Sequence, residues 1–269
     1  MAKSVRDQTA ADRGYVDLHE HIVALREAGL LFEVDREINK DTEMHPLVRW
    51  QYRGGVEEED RKAWLFNNVT DAKGREYDIP VLVGGLAANQ AVYKLGMGCE
   101  LDKIKETWIK ALNNPIDPVE VPFDDAPCHD LVYEGEDLLN GFGVDQIPVP
   151  ISSPGWDNAP YFAASHFITK DPTNGIQNMG NYRAMVKAPN RVGFNPSIEL
   201  RTGGYMHWEE WKKLGKPMPC AIVIGAPPIV SFTAVQKVPE KYDEFQVSGG
   251  LCGKPLNVVM AKTVDILVP

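Results

Sequence analysis

The chain is poor in the features that would mark it as secreted, membrane-spanning or held together by metal. Its 269 residues include four cysteines, Cys99, Cys128, Cys220 and Cys252. No two of them are spaced as C-x-x-C, which argues against a zinc knuckle or a thioredoxin-type site and makes free thiols in a reducing compartment the expectation. No apolar run approaches the roughly 20 residues that cross a bilayer. The opening residues, MAKSVRDQTAADRG, lack the apolar stretch of a secretory signal. Internal repeats and low-complexity segments are absent as well. Positive charge is in deficit: 28 Lys and Arg against 38 Asp and Glu leave a net charge of −10. That balance argues against an unspecific nucleic-acid or membrane-surface binder. The expectation is a cytoplasmic protein with no nucleic-acid and no membrane partner. A local Arg or Lys can still hold an anionic substrate in an acidic protein.

What is present is an ordinary globular composition, 43% hydrophobic and 25% charged, enough to bury a core in one large domain or two smaller ones. The first 14 residues read as a loose polar tail. Asp17 with Glu20 forms a capping-box pattern; Leu18, Ile22 and Leu25 then share a helical face, and Gly29 ends the helix. Phe32 to Ile38 alternates as a half-buried strand does. Asp41 can cap a second helix, with Pro46 either limiting it or sitting in its first turn. The acidic run from Glu57 to Asp60 reads as a solvated loop. Trp64 to Phe66 and Pro80 to Gly85 look like strands, and Asp102 starts a helix whose apolar face carries Ile104, Trp108 and Leu112. Residues 1–113 therefore read as a small α/β domain. Residues 114–127, rich in Pro and Asn, are the best domain linker. Beyond Cys128, short apolar runs alternate with Gly and Pro turns, and only Trp208 to Leu214 reads as helix. Ala221 to Gly225 and Leu256 to Ala261 are strands by length and β-branching. Residues 128–269 thus suggest a barrel-like β domain, and the chain as a whole an α+β protein.

One stretch, from Ile168 to Val186, organises the rest. Asp171, Pro172, Asn174 and Gly175 are turn residues, so it reads as a hairpin whose return strand begins near Gln177. Asn178 and Arg183 lie five residues apart on that return. Odd spacing in a strand sends two side chains to opposite faces unless a bulge intervenes, and Gly180 could hold one. The pair offers a neutral oxygen donor and a fixed cation, as a metal-bridged phosphate and an anionic reaction centre would need. The plainer reading of the same residues is a surface hairpin with an exposed Arg, a turn Asn, and, at Glu244, one more exposed acid in an acid-rich loop.

Ile168-Thr-Lys-Asp-Pro followed by Asn178-x-Gly-x-Tyr-Arg183 resembles the signature of the UbiD family of reversible decarboxylases, which use prenylated FMN. Further pieces agree in order along essentially the whole chain. They are the helix from Asp17 to Leu31, Asp145-Gln-Ile-Pro-Val-Pro, Ala159-Pro-Tyr-Phe, Lys216-Pro-Met-Pro-Cys-Ala-Ile-Val-Ile-Gly225, Tyr242-Asp-Glu-Phe, Gly249-Gly-Leu-Cys-Gly-Lys-Pro255 and Thr263-Val-Asp-Ile-Leu-Val-Pro269. The resemblance implies that residues 128–269 form a split β-barrel, related to flavin reductases, that binds the flavin and is incomplete on its C-terminal side. It implies Asn178 and Glu244 as ligands of Mn2+ or Mg2+, with K+ as a further cation, and Arg183 as the catalytic arginine, which would hold the substrate carboxylate or the cofactor. Asn181 and Tyr182 would lie along the flavin, and Thr202 and Gly203 near its ribityl-phosphate part.

Two departures stand out. Registered on Gly203-Gly204 and Trp211, the family's histidine ligand is replaced by Arg201. A guanidinium cannot ligate a cation, but it can contact the flavin phosphate directly; His207 is the alternative ligand. Further on, the family's next barrel strand, its Glu-x-x-x-x-Glu pair and its C-terminal domain do not follow Pro269. A second polypeptide carrying that half, and hence a hetero-oligomer, is expected, with truncation as the other explanation; an open sheet would otherwise expose edges and apolar faces. The resemblance then implies part of a carboxy-lyase acting on a small aromatic or α,β-unsaturated acid. A non-catalytic scaffold or flavin-binding subunit is the second reading. A flavin reductase-like oxidoreductase is a third, by fold analogy alone.

Overall fold

The computed structural model describes residues 17–239 and 242–269; the polar tail expected over residues 1–14 lies outside the described residues, as does Glu240. Helix α1, Leu18–Glu27, starts where its cap predicts: Asp17 is extended and its carboxylate accepts from Glu20 N at 3.0 Å. The buried face is His21, Ala24 and Leu25. His21 Nε2 donates to Gly85 O at 2.7 Å, and burial lowers its pKa.

Strand β1, Leu31–Asn39, is half-buried as expected: Val34 and Ile38, an even number of residues apart, are its buried apolar residues. Its register with the next strand shifts between Val34 and Glu37. Phe32 stays half exposed against Trp64, with ring centroids 4.7 Å apart. Helix α2, Met44–Arg53, begins after Glu43 instead of Asp41. Asn39 Oδ1 takes the amides of Asp41 and Thr42, while Asp41 is drawn to Lys40 Nζ at 2.6 Å. Pro46 falls in the first turn, where its missing N–H is not needed.

The centre of the first sheet is β2, Ala63–Thr70. It runs parallel to β1 and antiparallel to β3, Glu76–Tyr77, and β4, Val81–Val83. Helix α3, Gln90–Met97, is capped by Asn89, whose Oδ1 accepts from Val92 N at 2.7 Å. A 3-10 turn holding Asp102 leads into α4, Ile104–Asn113. Ile104, Trp108 and Leu112 pack half-buried against the core, as expected.

The remaining elements are β5 (Val119–Glu120), β6 (Tyr161–Phe162), β7 (His166–Lys170), β8 (Gln177–Asn181), β9 (Ala184–Ala188), β10 (Arg191–Val192), α5 (Gly203–Lys213), β11 (Cys220–Val223), α6 (Pro228–Ala234), α7 (Glu244–Cys252), β12 (Asn257–Met260) and β13 (Leu267–Val268). The strands form three three-stranded sheets, in the orders β10-β9-β6, β11-β7-β8 and β13-β12-β5. The α+β class holds. Among the described residues no sheet closes into a barrel.

Other helices differ from expectation as well. Helix α5 begins five residues before Trp208, and α3, α6 and α7 fall where the sequence pattern marks no helix. Every residue of α6 is buried, and most of α7 is. A helix wrapped on all sides carries no amphipathic period to read, and Pro-Ile-Val-Ser-Phe in α6 has the β-branching of a strand. These helices join both halves of the chain in one core. Met97, Cys99 and Ala111 pack with Ile229, Phe232, Val247, Leu251 and Cys252. Leu251 is fully buried there. Leu251→Ala is expected to destabilise the protein by about 3 kcal/mol, read from urea unfolding; a loss under about 1 kcal/mol would show that α7 does not carry this packing.

Candidate functional site

The predicted hairpin is β7 and β8, in unbroken antiparallel register from His166 opposite Asn181 to Lys170 opposite Gln177. Its turn is built as the residues suggest. Asp171 Oδ1 accepts from Thr173 N at 2.7 Å, and Asn174 Oδ1 from Ile176 N at 2.8 Å. No bulge sits at Gly180. The return strand instead breaks after Asn181 and resumes at Ala184, so Asn178 and Arg183 do not share a strand. Tyr182 explains the break: its ring folds back over Gly180, where any Cβ would overlap it.

Strand β8 is the edge of its sheet, so its outward amides need acceptors. They find them at the start of α7. The Asp243 carboxylate accepts from Phe245 N at 2.7 Å, with the backbone N–H groups of Gln177 and Gln246 also facing it, and the N–H of Met179 faces the carboxyl of Glu244. The side chain of Gln177 ties the same strand to β13, accepting from Leu267 N at 2.8 Å and donating to Leu267 O at 3.0 Å. Both acids lose water in the process. Burial pushes the Asp243 carboxyl up, against the pull of its amide donors. Burial pushes Glu244 up to about 8; backbone donors oppose this and the neighbouring Asp243 adds to it.

Helix α5 meets β8 from another side. Thr202 is its N-cap, but Thr202 Oγ1 donates to Ser197 O at 3.3 Å instead of capping the helix. Tyr182 takes over, its hydroxyl oxygen accepting from Gly204 N at 2.9 Å. Gly203 is required by contact, since a Cβ there would overlap Asn178 Oδ1. Further along α5, His207 Nδ1 is paired with Thr169 Oγ1 at 2.9 Å, and Trp211 Nε1 donates to Lys170 O at 2.8 Å. Arg201 enters the helix with φ of 45°, an unfavourable left-handed conformation for a residue with a Cβ.

Between β8, α5 and the start of α7 lies a cavity of about 670 Å³, the size of a ligand pocket. Asn178, Asn181, Tyr182, Arg201, Thr202, Gly203 and Glu244, far apart in sequence, all line it. Arg183 is not among the lining residues: it is exposed, and its backbone bridges Asn195. Lys237 lines the rim and donates to Leu200 O at 3.4 Å. The N-terminus of α5, Arg201 and Lys237 together favour an anion such as phosphate. Asn178 Oδ1 and the Glu244 carboxyl are hard oxygen donors suited to a divalent cation. Among the described residues no three His, Cys, Asp or Glu cluster as a complete metal site, so further ligands would have to come from whatever the cation holds. Glu244 nonetheless suits a cation. It is buried with no ion-pair partner among the described residues, and a bound cation would favour its ionised form.

Sequence reasoning misses Asp243, Gln177 and Lys237. Asp243 followed three residues later by Gln246 is a cap spacing that could reveal α7; nothing local marks Lys237. Among the described residues no helix is long and apolar enough to cross a membrane.

Comparison with known proteins follows the same lines. The UbiD family model, described as the 3-octaprenyl-4-hydroxybenzoate carboxy-lyase Rift-related domain, matches residues 119–269. The structure is similar to the UbiD-class enzyme HmfF from Pelotomaculum thermopropionicum in complex with FMN, at 25% identity and TM-score 0.80, covering 94% of this chain and 52% of that one. An evolved dimeric form of HmfF in complex with prFMN matches at 24% identity and TM-score 0.82, over 95% and 55%. Vanillic acid decarboxylase from Sedimentibacter hydroxybenzoicus in closed form matches at 24% and 0.82, over 96% and 53%. The chain spans about half the length of these solved structures.

The raised pKa of Glu244 makes a pH prediction for the cation-free protein. Unfolded, this carboxyl ionises near its ordinary 4.5; folded, it does so at about 8. Between these values the native state keeps a proton that the unfolded chain releases. The stabilisation is therefore complete below pH 4.5 and lost as the pH rises through 8. Glu244→Gln is expected to flatten that decline and, at a pH of about 9 with chelator present, to stabilise the protein by on the order of 5 kcal/mol at most. Denaturant midpoints measured from about pH 5 to about pH 9 check it; parallel profiles for both proteins would refute the assignment.

Proposed function

The chain belongs to the UbiD family, and from that premise we propose that it is one part of a reversible decarboxylase acting on a small aromatic or α,β-unsaturated carboxylic acid with prenylated FMN. The observation that carries this reading is the cavity, where seven of the residues expected to hold the flavin and its cation converge from β8 and the residue after it, the entry to α5 and the start of α7. Asn178 and Glu244 hold Mn2+ or Mg2+. Arg201 and the first amides of α5 take the flavin phosphate, which lets an arginine stand where a histidine ligand is expected. Arg183 binds the substrate carboxylate at the break between β8 and β9. Prenylated FMN, when bound, supplies the electron sink for loss of CO2. The chain's own residues orient the acid and fix the charges around it. The acid that protonates the product comes from a partner chain.

One observation favours a second reading. Arg183 lies outside the cavity lining, as it would in a flavin-binding or scaffold subunit that supports a separate catalytic chain. Native mass spectrometry of the assembly, purified without oxygen from its natural source, separates the two: a second chain together with a ligand of prenylated-FMN mass supports the enzyme, and an empty chain inside an active complex supports the scaffold. In the active assembly Arg183→Ala is expected to abolish turnover of aromatic acids while leaving folding intact. A variant with wild-type turnover would remove Arg183 from the mechanism.

A further inference from the structure

We propose that Tyr182 is the positioning residue of the cation site, its hydroxyl holding the Asn178 amide with its oxygen on the Gly203 side, at the start of α5; this rests on the reading of Asn178 as a cation ligand given above. The Tyr182 side chain is 8% exposed. Its ring is fixed on every side: folded over Gly180, pressed against Gly204, at 87° to Phe194 with centroids 5.3 Å apart, and 5.9 Å from Phe167. A phenol held this firmly makes its oxygen a fixed point. That oxygen accepts from Gly204 N at 2.9 Å and from Asn178 Nδ2 at 3.5 Å.

The second bond decides which way the amide faces. With Nδ2 turned to Tyr182, Oδ1 is turned to Gly203, where the missing Cβ leaves room for it. Rotated by half a turn, the amide would present an NH2 group, two donors and no lone pair, to any cation. The first bond acts on the same place from the other side, because it fixes the start of α5 and therefore the Gly203 that Asn178 packs against. One hydroxyl thus sets both the ligand's orientation and the wall behind it. Groups behind metal ligands act in this way, orienting the atoms that touch the metal.

Tyr182→Phe separates this role from packing, since it keeps the ring over Gly180 and removes only the oxygen. The full chain and the variant would be titrated with Mn2+ in the presence of saturating FMN, whose phosphate supplies the missing ligands, and followed by electron paramagnetic resonance, alongside thermal unfolding and hydrogen exchange of the metal-free proteins. The expected result is Mn2+ affinity about tenfold weaker, with exchange faster at the first turn of α5 and the unfolding midpoint little changed. Unchanged Mn2+ affinity would overturn the proposal with the cation site intact. Loss of affinity that merely accompanies a general fall in stability and faster exchange throughout would overturn it too, leaving Tyr182 a packing residue. Wild-type protein that binds no Mn2+ with FMN present would instead sink the cation-site reading itself, and this inference with it.

Discussion

Strand β8 is an edge, and an edge strand in a protein interior must find acceptors for its outward amides. Here they are carboxylates. Asp243 and Glu244 meet Gln177 and Met179, two residues apart and so on the same edge of the strand. This clasp places the first turn of α7 beside the return strand and buries Glu244 next to a half-buried Asp243. It also brings Glu244 to the cavity that Asn178 lines. The opposing side of the hairpin is equally committed: Ile168 and Met179 pack with Val230 of α6, Phe245 of α7, and Val258 and Ile266 near the C-terminal strands. The strand therefore cannot move away from the acids without opening the core.

The cavity follows from close approach. Helix α5 can come up to β8 because position 203 has no side chain where Asn178 must lie, and because Gly204 leaves room for the Tyr182 ring. The result is a pocket with two electrostatic characters. One wall offers a helix N-terminus, Arg201 and Lys237; another offers the oxygens of Asn178 and Glu244. A buried carboxyl that holds its proton to about pH 8 by itself is a poor permanent charge but a ready partner for a cation, whose field would restore the ionised form. A phosphate and a divalent ion are together better suited to such a site than either is alone.

Much of this is legible in the residues. Local chemistry determines the cap of α1 at Asp17, the Asp171–Gly175 turn, the start of the return strand at Gln177 and the strands at residues 220–223 and 257–260, since each rests on neighbours a few positions away. Motif resemblance points to the residues that line the cavity, and all of those it names but Arg183 do line it. Tertiary structure alone decides the rest. Helices α6 and α7 are buried on nearly every side, so no polar face marks them. The break after Asn181 arises because Tyr182 folds back over Gly180, a contact that strand alternation cannot foresee. Glu244 looks like one more surface acid in an acidic stretch; it is buried because β8, more than sixty residues earlier in the chain, is an edge whose amides need it. Sequence speaks for interactions between near neighbours, and the chemistry of this cavity depends on pairs that only the packed chain brings within reach.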